Sequence, residues 1–377
     1  MAVCIGVIAE TGAGEKRVAL VPEVAKKLKS LGATLVVQAG AGKLAQIPDA
    51  AFGTDVEVLP DAAAVLARAD ILLKVLPPTD AEIAQLREGV CAIGYMQPHL
   101  SADRVKLLRD RRLTSFAMEL LPRTTRAQAM DVLSSQAGMA GYKAVLIGAQ
   151  LSGKFFPMLT TAAGTVRPSK ILIIGAGVAG LQAIATARRL GGQVEAFDVR
   201  PETKEQIESL GAKFLDLGVS AAGAGGYARE LTAEERAEQS RRLGEQLKNY
   251  DVVVTTAAVP GRKAPVIINA EMAANFKSGA VVVDLAAESG GNCALTVPGQ
   301  TIEVNGVTIA GPLNLPSMGA IHASEMYARN LLNFLSLSVK GGEFKLDWND
   351  DLIAGCVLTH EGAIKHAATA KAIEAAS

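Results

Sequence analysis

Aromatic residues are scarce in this chain. Phe, Tyr and Trp make up 4% of its 377 residues, although hydrophobic residues make up 49%. The apolar content is therefore mostly Ala, Val, Leu and Ile, the mix of α/β domains with buried parallel strands and Ala-rich helices. An excess of either charge is also missing, since 38 Lys and Arg balance 38 Asp and Glu. That balance, without a basic tail, argues against nucleic acid or an anionic membrane surface as a partner. Cysteine is limited to Cys4, Cys91, Cys293 and Cys356. No pair has metal-ligand spacing or implies a disulfide, so a reducing compartment is expected. His99, His322, His360 and His366 are dispersed and make no metal cluster. The best candidate for a membrane span, 144–166, is interrupted by Gln150, Lys154 and Pro157, short of the ~20 apolar residues a crossing requires. The opening MAVCIGVIAE has neither a charged leader nor a cleavage site, and the chain reads as soluble. Internal repeats of the solenoid kind are absent.

What the chain does have is alternation of strand and helix signals. Apolar runs at 4–9, 34–38, 71–75 and 90–95 are bounded by turn residues. A helix over 23–31 is expected, with Pro22 at its first turn and Gly32 closing it. A second block repeats the pattern, with strands expected at 170–174, 193–197, 251–255 and 280–284 and a helix at 181–190. Residues 218–226 read as a mobile Gly/Ala-rich loop before a charged helical segment, 230–247. A long helix at 323–340 returns to the first block, and the Ala-rich end from Ala367 reads as a loose tail. Together these predict two doubly wound parallel-sheet α/β domains. A Rossmann domain, 138–322, is inserted into a discontinuous first domain, 1–137 plus 323–377.

The strongest motif runs from Ile171 to Gly180, where Gly175, Gly177 and Gly180 form G-x-G-x-x-G between a predicted strand and a predicted helix. That context makes the pattern a dinucleotide fingerprint. Gly175 permits the tight turn, Gly177 lets the backbone approach a pyrophosphate, and Gly180 lets helix and strand pack closely. Amides around Ala176, Gly177 and Val178 are expected to point at the phosphates. Asp198, at the end of the next strand, can accept from the adenosine ribose hydroxyls and would repel a 2′-phosphate, which favours NAD(H). Arg200 beside it is the residue type that accommodates such a phosphate.

A fingerprint gives a coenzyme and not a reaction. The second informative segment is 122–137, which contains Arg123, Gln128, Asp131, Ser134 and Gln136. If it is helical, intervals of three bring Gln128, Asp131 and Ser134 near one face. A solvated loop with Asp131 or Ser134 as a helix cap is an equally good reading of the residues alone.

The run RAQAMDVLSSQAG resembles the loop of the NAD(H)-binding component of proton-translocating transhydrogenases. The likeness extends over nearly the whole chain, through RVALVPE, IIGAGVAGLQAIATARRLGGQVEAFDVR, AGGYARE, TTAAVPGRKAP and VVDLAAESGGN. It implies that Arg123, Gln128, Asp131 and Ser134 hold the nicotinamide and its ribose, with Gln128 bridging to a second nucleotide. It implies phosphate and ribose contacts from Ala176, Gly177, Val178, Asp198, Val199 and Arg200. Gly226 and Tyr227 match a loop that closes over nucleotide, and Gln239 and Ala258 match further coenzyme contacts. Also implied are NADP(H) on a partner subunit, a transmembrane subunit, a homodimer, and a peripheral place on the cytoplasmic face of the inner membrane.

Alanine dehydrogenases share the expected fold. Arg17 and Lys74 match the cations that grip their substrate, His99 sits near the place of their catalytic histidine, and Glu288 stands where they have an aspartate. An amino-acid dehydrogenase needs such a histidine because its chemistry moves a proton as well as a hydride. The segment RAQAMDVLSSQ is foreign to that group, and the transhydrogenase resemblance is the better guide.

Overall fold

The computed structural model describes residues 2–221, 229, 231–258 and 261–375. Short aliphatic runs form the strands β1 (Cys4–Val7), β2 (Thr34–Gln38), β3 (Glu57–Leu59), β4 (Ile71–Leu73), β5 (Cys91–Gly94) and β6 (Thr114–Ala117). A hairpin follows, β7 (Leu159–Thr161) and β8 (Gly164–Val166). Next come β9 (Lys170–Ile174), β10 (Gln193–Phe197), β11 (Lys213–Phe214), β12 (Val252–Thr255), β13 (Val281–Asp284), β14 (Thr301–Val304) and β15 (Val307–Ala310). Two further pairs are β16 (Val339–Lys340) with β17 (Glu343–Phe344), and β18 (Val357–His360) with β19 (Ala363–Ile364). The helices that matter below are α1 (Pro22–Ser30), α2 (Val132–Leu151), α3 (Val178–Arg189), α4 (Ala233–Leu247), α5 (Ala320–Leu335) and α6 (Ala367–Ala375).

The chain divides into two compact units, Met1–Gln136 with Ser317–Ser377, and Ala137–Pro316. In the first unit the sheet order is β19-β18-β6-β5-β4-β1-β2-β3. It is parallel except around β18, which runs antiparallel to both neighbours. Side chains alternate across it. Ile71 and Leu73 pack with Val24 and Leu28 of α1 and with Leu331 and Leu335 of α5. Leu72 faces the opposite core, with Leu66 and Val105. The second unit has the order β11-β10-β9-β12-β13-β15-β14, with only β14 antiparallel. Ile171 and Ile173 fill one face, Leu172 and Ile174 the other. Apolar cores on both faces of two mainly parallel sheets are the doubly wound class that the sequence pattern predicts. In each order the chain reverses direction beside its first strand, between β1 and β4 and between β9 and β12. Crevices at such reversals are where α/β sheets bind ligands.

The stretch 144–166 is the end of α2, a turn, and the β7–β8 hairpin, and among the described residues no helix is long and apolar enough to cross a membrane. Two expectations need correction. Helix α5 begins at Ala320 and ends at Leu335, because the chain then turns into β16 and β17 around Gly341 and Gly342, at φ of 58° and 81°. The tail from Ala367 is a helix and not loose chain. His366 Nδ1 accepts from the Thr369 amide at 3.3 Å and lies 2.7 Å from its hydroxyl, capping α6. Ile373 is buried in the core beneath it.

A buried polar chain ties α5 to the first loop of the sheet. Arg17 donates to Glu15 through Nε at 2.8 Å and Nη2 at 2.6 Å, and to Gln136 Oε1 through Nη1 at 2.9 Å. Gln136 in turn donates to the Ala323 carbonyl at 3.0 Å. The Ser317 hydroxyl donates to Glu15 at 2.5 Å, and the Val18 amide donates to Ser324 at 3.0 Å. Burial alone would raise the Glu15 carboxyl, but the Arg17 guanidinium and its other donors lower it to about 2. A carboxylate depressed from 4.5 contributes stability that is complete above about pH 4.5 and is lost as pH falls through about 2. Glu15→Gln should therefore cost roughly 3 kcal/mol at neutral pH. Urea unfolding from pH 7 down to pH 2 should show that deficit shrinking steadily below pH 4.5, and a deficit that stays constant would disprove the assignment.

Candidate functional site

In the second unit β9 delivers the chain into a turn with no room for side chains. Gly175 has φ of +96°, and a Cβ there would lie 2.6 Å from Thr256 Oγ1. A Cβ on Gly180 would lie 1.8 Å from the Gly175 carbonyl oxygen. Both glycines are thus demanded by the packing of the turn. Gly177 differs, because a Cβ there would meet nothing within 4 Å and its φ is −77°. Neither strain nor packing requires glycine at 177, so the open space beside it is the place where a bound group would come close. Gly177 caps α3 and Val178 is its first residue. Amides in a first helical turn have no partners within the helix and favour an anion. The fit to a pyrophosphate is good. The Ala176 amide does not share this role as expected. It donates to Asp198 Oδ2 at 2.7 Å, because the carboxylate at the end of β10 is a nearby charged acceptor.

Asp198 is buried and accepts four bonds. Besides Ala176 N, its donors are the Arg200 amide at 2.9 Å, Nε at 2.9 Å and Nη2 at 2.7 Å. Burial would raise its carboxyl, but Arg200 and the two amides outweigh that and hold it below its ordinary range. A carboxylate has about four acceptor positions, so a ribose diol reaches Asp198 only by displacing an Arg200 donor. Val199 is half-buried, and its carbonyl accepts from the Ala221 amide at 2.6 Å. Gln239 is buried on α4, one turn before the core residue Leu243. Gly226 and Tyr227, and with them most of the expected mobile loop, lie outside the described residues.

Ala258 is exposed at the end of the segment after β12. That segment is held by a residue the sequence reading passed over. Asn292 is fully buried, accepts from the Ala257 amide at 3.0 Å, and donates to the carbonyls of Ala257 at 2.7 Å and Pro265 at 2.8 Å. Asn292 is itself fixed by Asp284, which also accepts from Thr255, Ala286, Cys293 and Thr296. The signal was present in VVDLAAESGGN, where an acid ending a strand and an Asn after two glycines suit a buried loop anchor.

In the first unit, residues 123–134 form two different structures and not one helix. Thr125–Met130 is a 3₁₀ turn, and α2 begins at Val132. The cause is Asp131, which caps α2: its carboxylate accepts from the Ser134 amide at 2.9 Å and from the Ser134 hydroxyl at 2.5 Å. The capping reading is therefore the geometry the chain adopts for this pair. Ala127 and Met130 are buried in the core and anchor the turn, which leaves Gln128 and Arg123 on the exposed side. Arg126 is spent on Asp350 and Asp351.

Arg17 and Lys74, expected from the resemblance to alanine dehydrogenases to match substrate-gripping cations, are both engaged within the first unit. Lys74 is 1% exposed, with its ammonium 3.1 Å from Glu10 and 3.2 Å from Glu82. Burial raises the Glu10 carboxyl against the pull of Lys74 and of the Val75 amide. Arg17 is the buried partner of Glu15 described above. His99 is exposed in a turn after Gln97, which has φ of +46°. Glu288, in the second unit, is exposed and accepts from the Asn314 amide.

The glycine contrast gives a direct test. Gly177→Ala should leave the thermal midpoint unchanged and weaken NADH binding at least tenfold in calorimetry, whereas Gly180→Ala should lower the midpoint. Full NADH affinity in Gly177→Ala would remove the phosphate from this turn.

Comparison with known proteins finds two family models that match in order along the chain. Residues 6–140 match the model described as "Alanine dehydrogenase/PNT, N-terminal domain", and residues 144–367 match "Alanine dehydrogenase/PNT, C-terminal domain". The chain is 45% identical to the first part of NAD(P) transhydrogenase subunit alpha of Rhodospirillum rubrum, over 97% of this chain and 98% of that protein. The solved structure of a transhydrogenase from Sinorhizobium meliloti superposes with a TM-score of 0.85 at 43% identity, covering 97% of this chain and 99% of that one. An L-alanine dehydrogenase superposes with a TM-score of 0.82 at 24% identity over the full length of both, a likeness of fold. With both domains matched in order along the chain, this protein belongs to the alanine dehydrogenase/PNT family.

Proposed function

We propose that this chain is the NAD(H)-binding, hydride-transferring subunit of a proton-translocating transhydrogenase. The observation that carries the reading is the 123–134 segment, in which Asp131 and Ser134 lock each other and Gln128 stands exposed on an anchored turn. The 45% identity to a transhydrogenase subunit over nearly the whole chain supports it. In this reading the cradle at Gly175–Gly180 and Asp198 binds NADH, with Val199, Arg200, Gly226, Tyr227, Gln239 and Ala258 completing the contacts. Arg123, Gln128, Asp131 and Ser134 order the nicotinamide and its ribose.

Hydride passes directly from C4 of NADH to C4 of NADP⁺ on another subunit. That transfer breaks no O–H or N–H bond, so the residues do not act as acid or base. Their task is to hold two rings about 3–3.5 Å apart and to exclude water. Hydrogen bonds to carboxamide and ribose hydroxyls suit that task. The buried pairing of Arg17 and Lys74 and the exposure of His99 favour this reading over amino-acid oxidation. Proton translocation then belongs to a transmembrane partner, which would hold this subunit peripherally at the cytoplasmic face of the inner membrane. A homodimer fits the β7–β8 hairpin, whose strands are exposed throughout and carry Leu159 and Val166 beside the exposed Phe155 and Met158. A lone hairpin has little stability in water, and a second copy would cover it.

The decisive assay mixes the purified chain with an NADP(H)-binding transhydrogenase subunit. Hydride transfer from NADH to thio-NADP⁺ should appear only in the mixture, from a chain that sediments as a dimer. Oxidation of NADH with pyruvate and ammonia by the chain alone would instead make it a dehydrogenase. In the mixture, Gln128→Asn should slow transfer at least tenfold, about 1.4 kcal/mol of barrier, and change the NADH dissociation constant less than threefold. Equal losses in both would reduce Gln128 to a binding residue.

A further inference from the structure

We infer that Asn330, on α5, is a positioning residue for the transfer segment; the inference rests on the function proposed above. Asn330 is 7% exposed. Its Nδ2 donates to the Ala129 carbonyl at 2.9 Å, and its Oδ1 accepts from the Ser135 hydroxyl at 2.7 Å. One side chain therefore grips the segment on both sides of Asp131 and Ser134. Ala129 directly follows Gln128, and Ser135 directly follows Ser134.

The segment needs such a grip. A 3₁₀ turn has poor hydrogen-bond geometry and little stability of its own. The bond that closes the end of the turn is long, with Asp131 N donating to Gln128 O at 3.4 Å. Ala127 and Met130 fix the inner side of the turn by burial, but apolar contacts are non-directional and do not set the rotation of the peptide after Ala129. The bond from Asn330 does. Asn333, one turn farther along α5, also donates to Ala129 O at 2.9 Å, from a half-buried position. Helix α5 is a firm base for this grip, because Ser324 and Tyr327 tie it to Val18 N and to the Lys74 carbonyl. Tyr95 adds a bond from its hydroxyl to the Val132 carbonyl at 3.1 Å.

Transfer between two rings is sensitive to placement, and an ångström of displacement can cost about a hundredfold. The grip should thus act on the transfer rate more than on affinity. Asn330→Asp separates its two halves, since a carboxylate still accepts from Ser135 but cannot donate to Ala129. In the mixture with the NADP(H)-binding subunit, Asn330→Asp should slow transfer from NADH to thio-NADP⁺ at least tenfold, with the NADH dissociation constant within threefold of wild type. Asn333→Ala should stay within twofold in both. A transfer rate within twofold of wild type for Asn330→Asp, or a parallel loss of affinity, overturns the inference. Amide exchange without nucleotide reads the grip independently of turnover. The amides of Ala127 and Asp131 should exchange faster in Asn330→Asp, and unchanged exchange also overturns it, even for a chain whose wild type shows no transfer. Should Asn330→Asp not fold, Ser135→Ala decides: it is expected to slow transfer about threefold at unchanged affinity, and a wild-type rate counts against the grip.

Discussion

Close approach of bare backbone at the end of β9 is the constraint on which the nucleotide cradle depends. The Gly175 carbonyl sits so near Gly180 that a single added carbon would lie 1.8 Å away, and Thr256 donates to the Ile174 and Gly175 carbonyls at 3.2 and 3.0 Å from the neighbouring strand end. This contact sets the angle at which α3 leaves the sheet and so where its first amides aim. Asp198 completes the turn from the next strand by holding the Ala176 amide. Arg200 keeps that carboxylate charged, and four donors keep it oriented. The turn of the cradle is thus backbone held where side chains at 175 and 180 cannot fit.

The first unit solves a different problem. Its sensitive segment is not a turn of tight packing but an exposed stretch of polar residues, and exposed backbone has no intrinsic reason to keep one shape. Here rigidity is borrowed. Asp131 makes the segment the start of a long helix, Ala127 and Met130 pin its inner face, and α5 holds its carbonyl at Ala129. The buried cations Arg17 and Lys74 are committed to Glu15, and to Glu10 and Glu82, respectively. Under the proposed function, a segment that aligns two coenzymes gains from this division, in which rigid helices carry the burden and only a few side chains stay exposed.

Much of this was legible in the residues. Period and composition pointed to two doubly wound sheets, and β2, β9 and β10 occupy the expected positions because their apolar runs end at clear turn residues. The fingerprint glycines declared the turn after β9. What could not be read was the partner of each polar group. Nothing local in the sequence assigns the Ala176 amide to Asp198, or joins Asn330 to a carbonyl two hundred residues earlier. Spacing of three suggested a shared helical face for Gln128, Asp131 and Ser134, but a cap at Asp131 competes with helix continuation and won. The end from Ala367 misled for the opposite reason. Alanine-rich sequence with few anchors is helix-prone once one cap and one buried residue are supplied, here by His366 and Ile373.

The central claim is that a coenzyme held by the glycine turn is ordered at its reactive end by residues 123–134. A crystal structure of the chain grown with NADH measures this directly. The account predicts the pyrophosphate against Gly177 and the nicotinamide ring in contact with the segment that carries Gln128, Asp131 and Ser134. A nicotinamide bound elsewhere, with that segment facing only solvent, would contradict it.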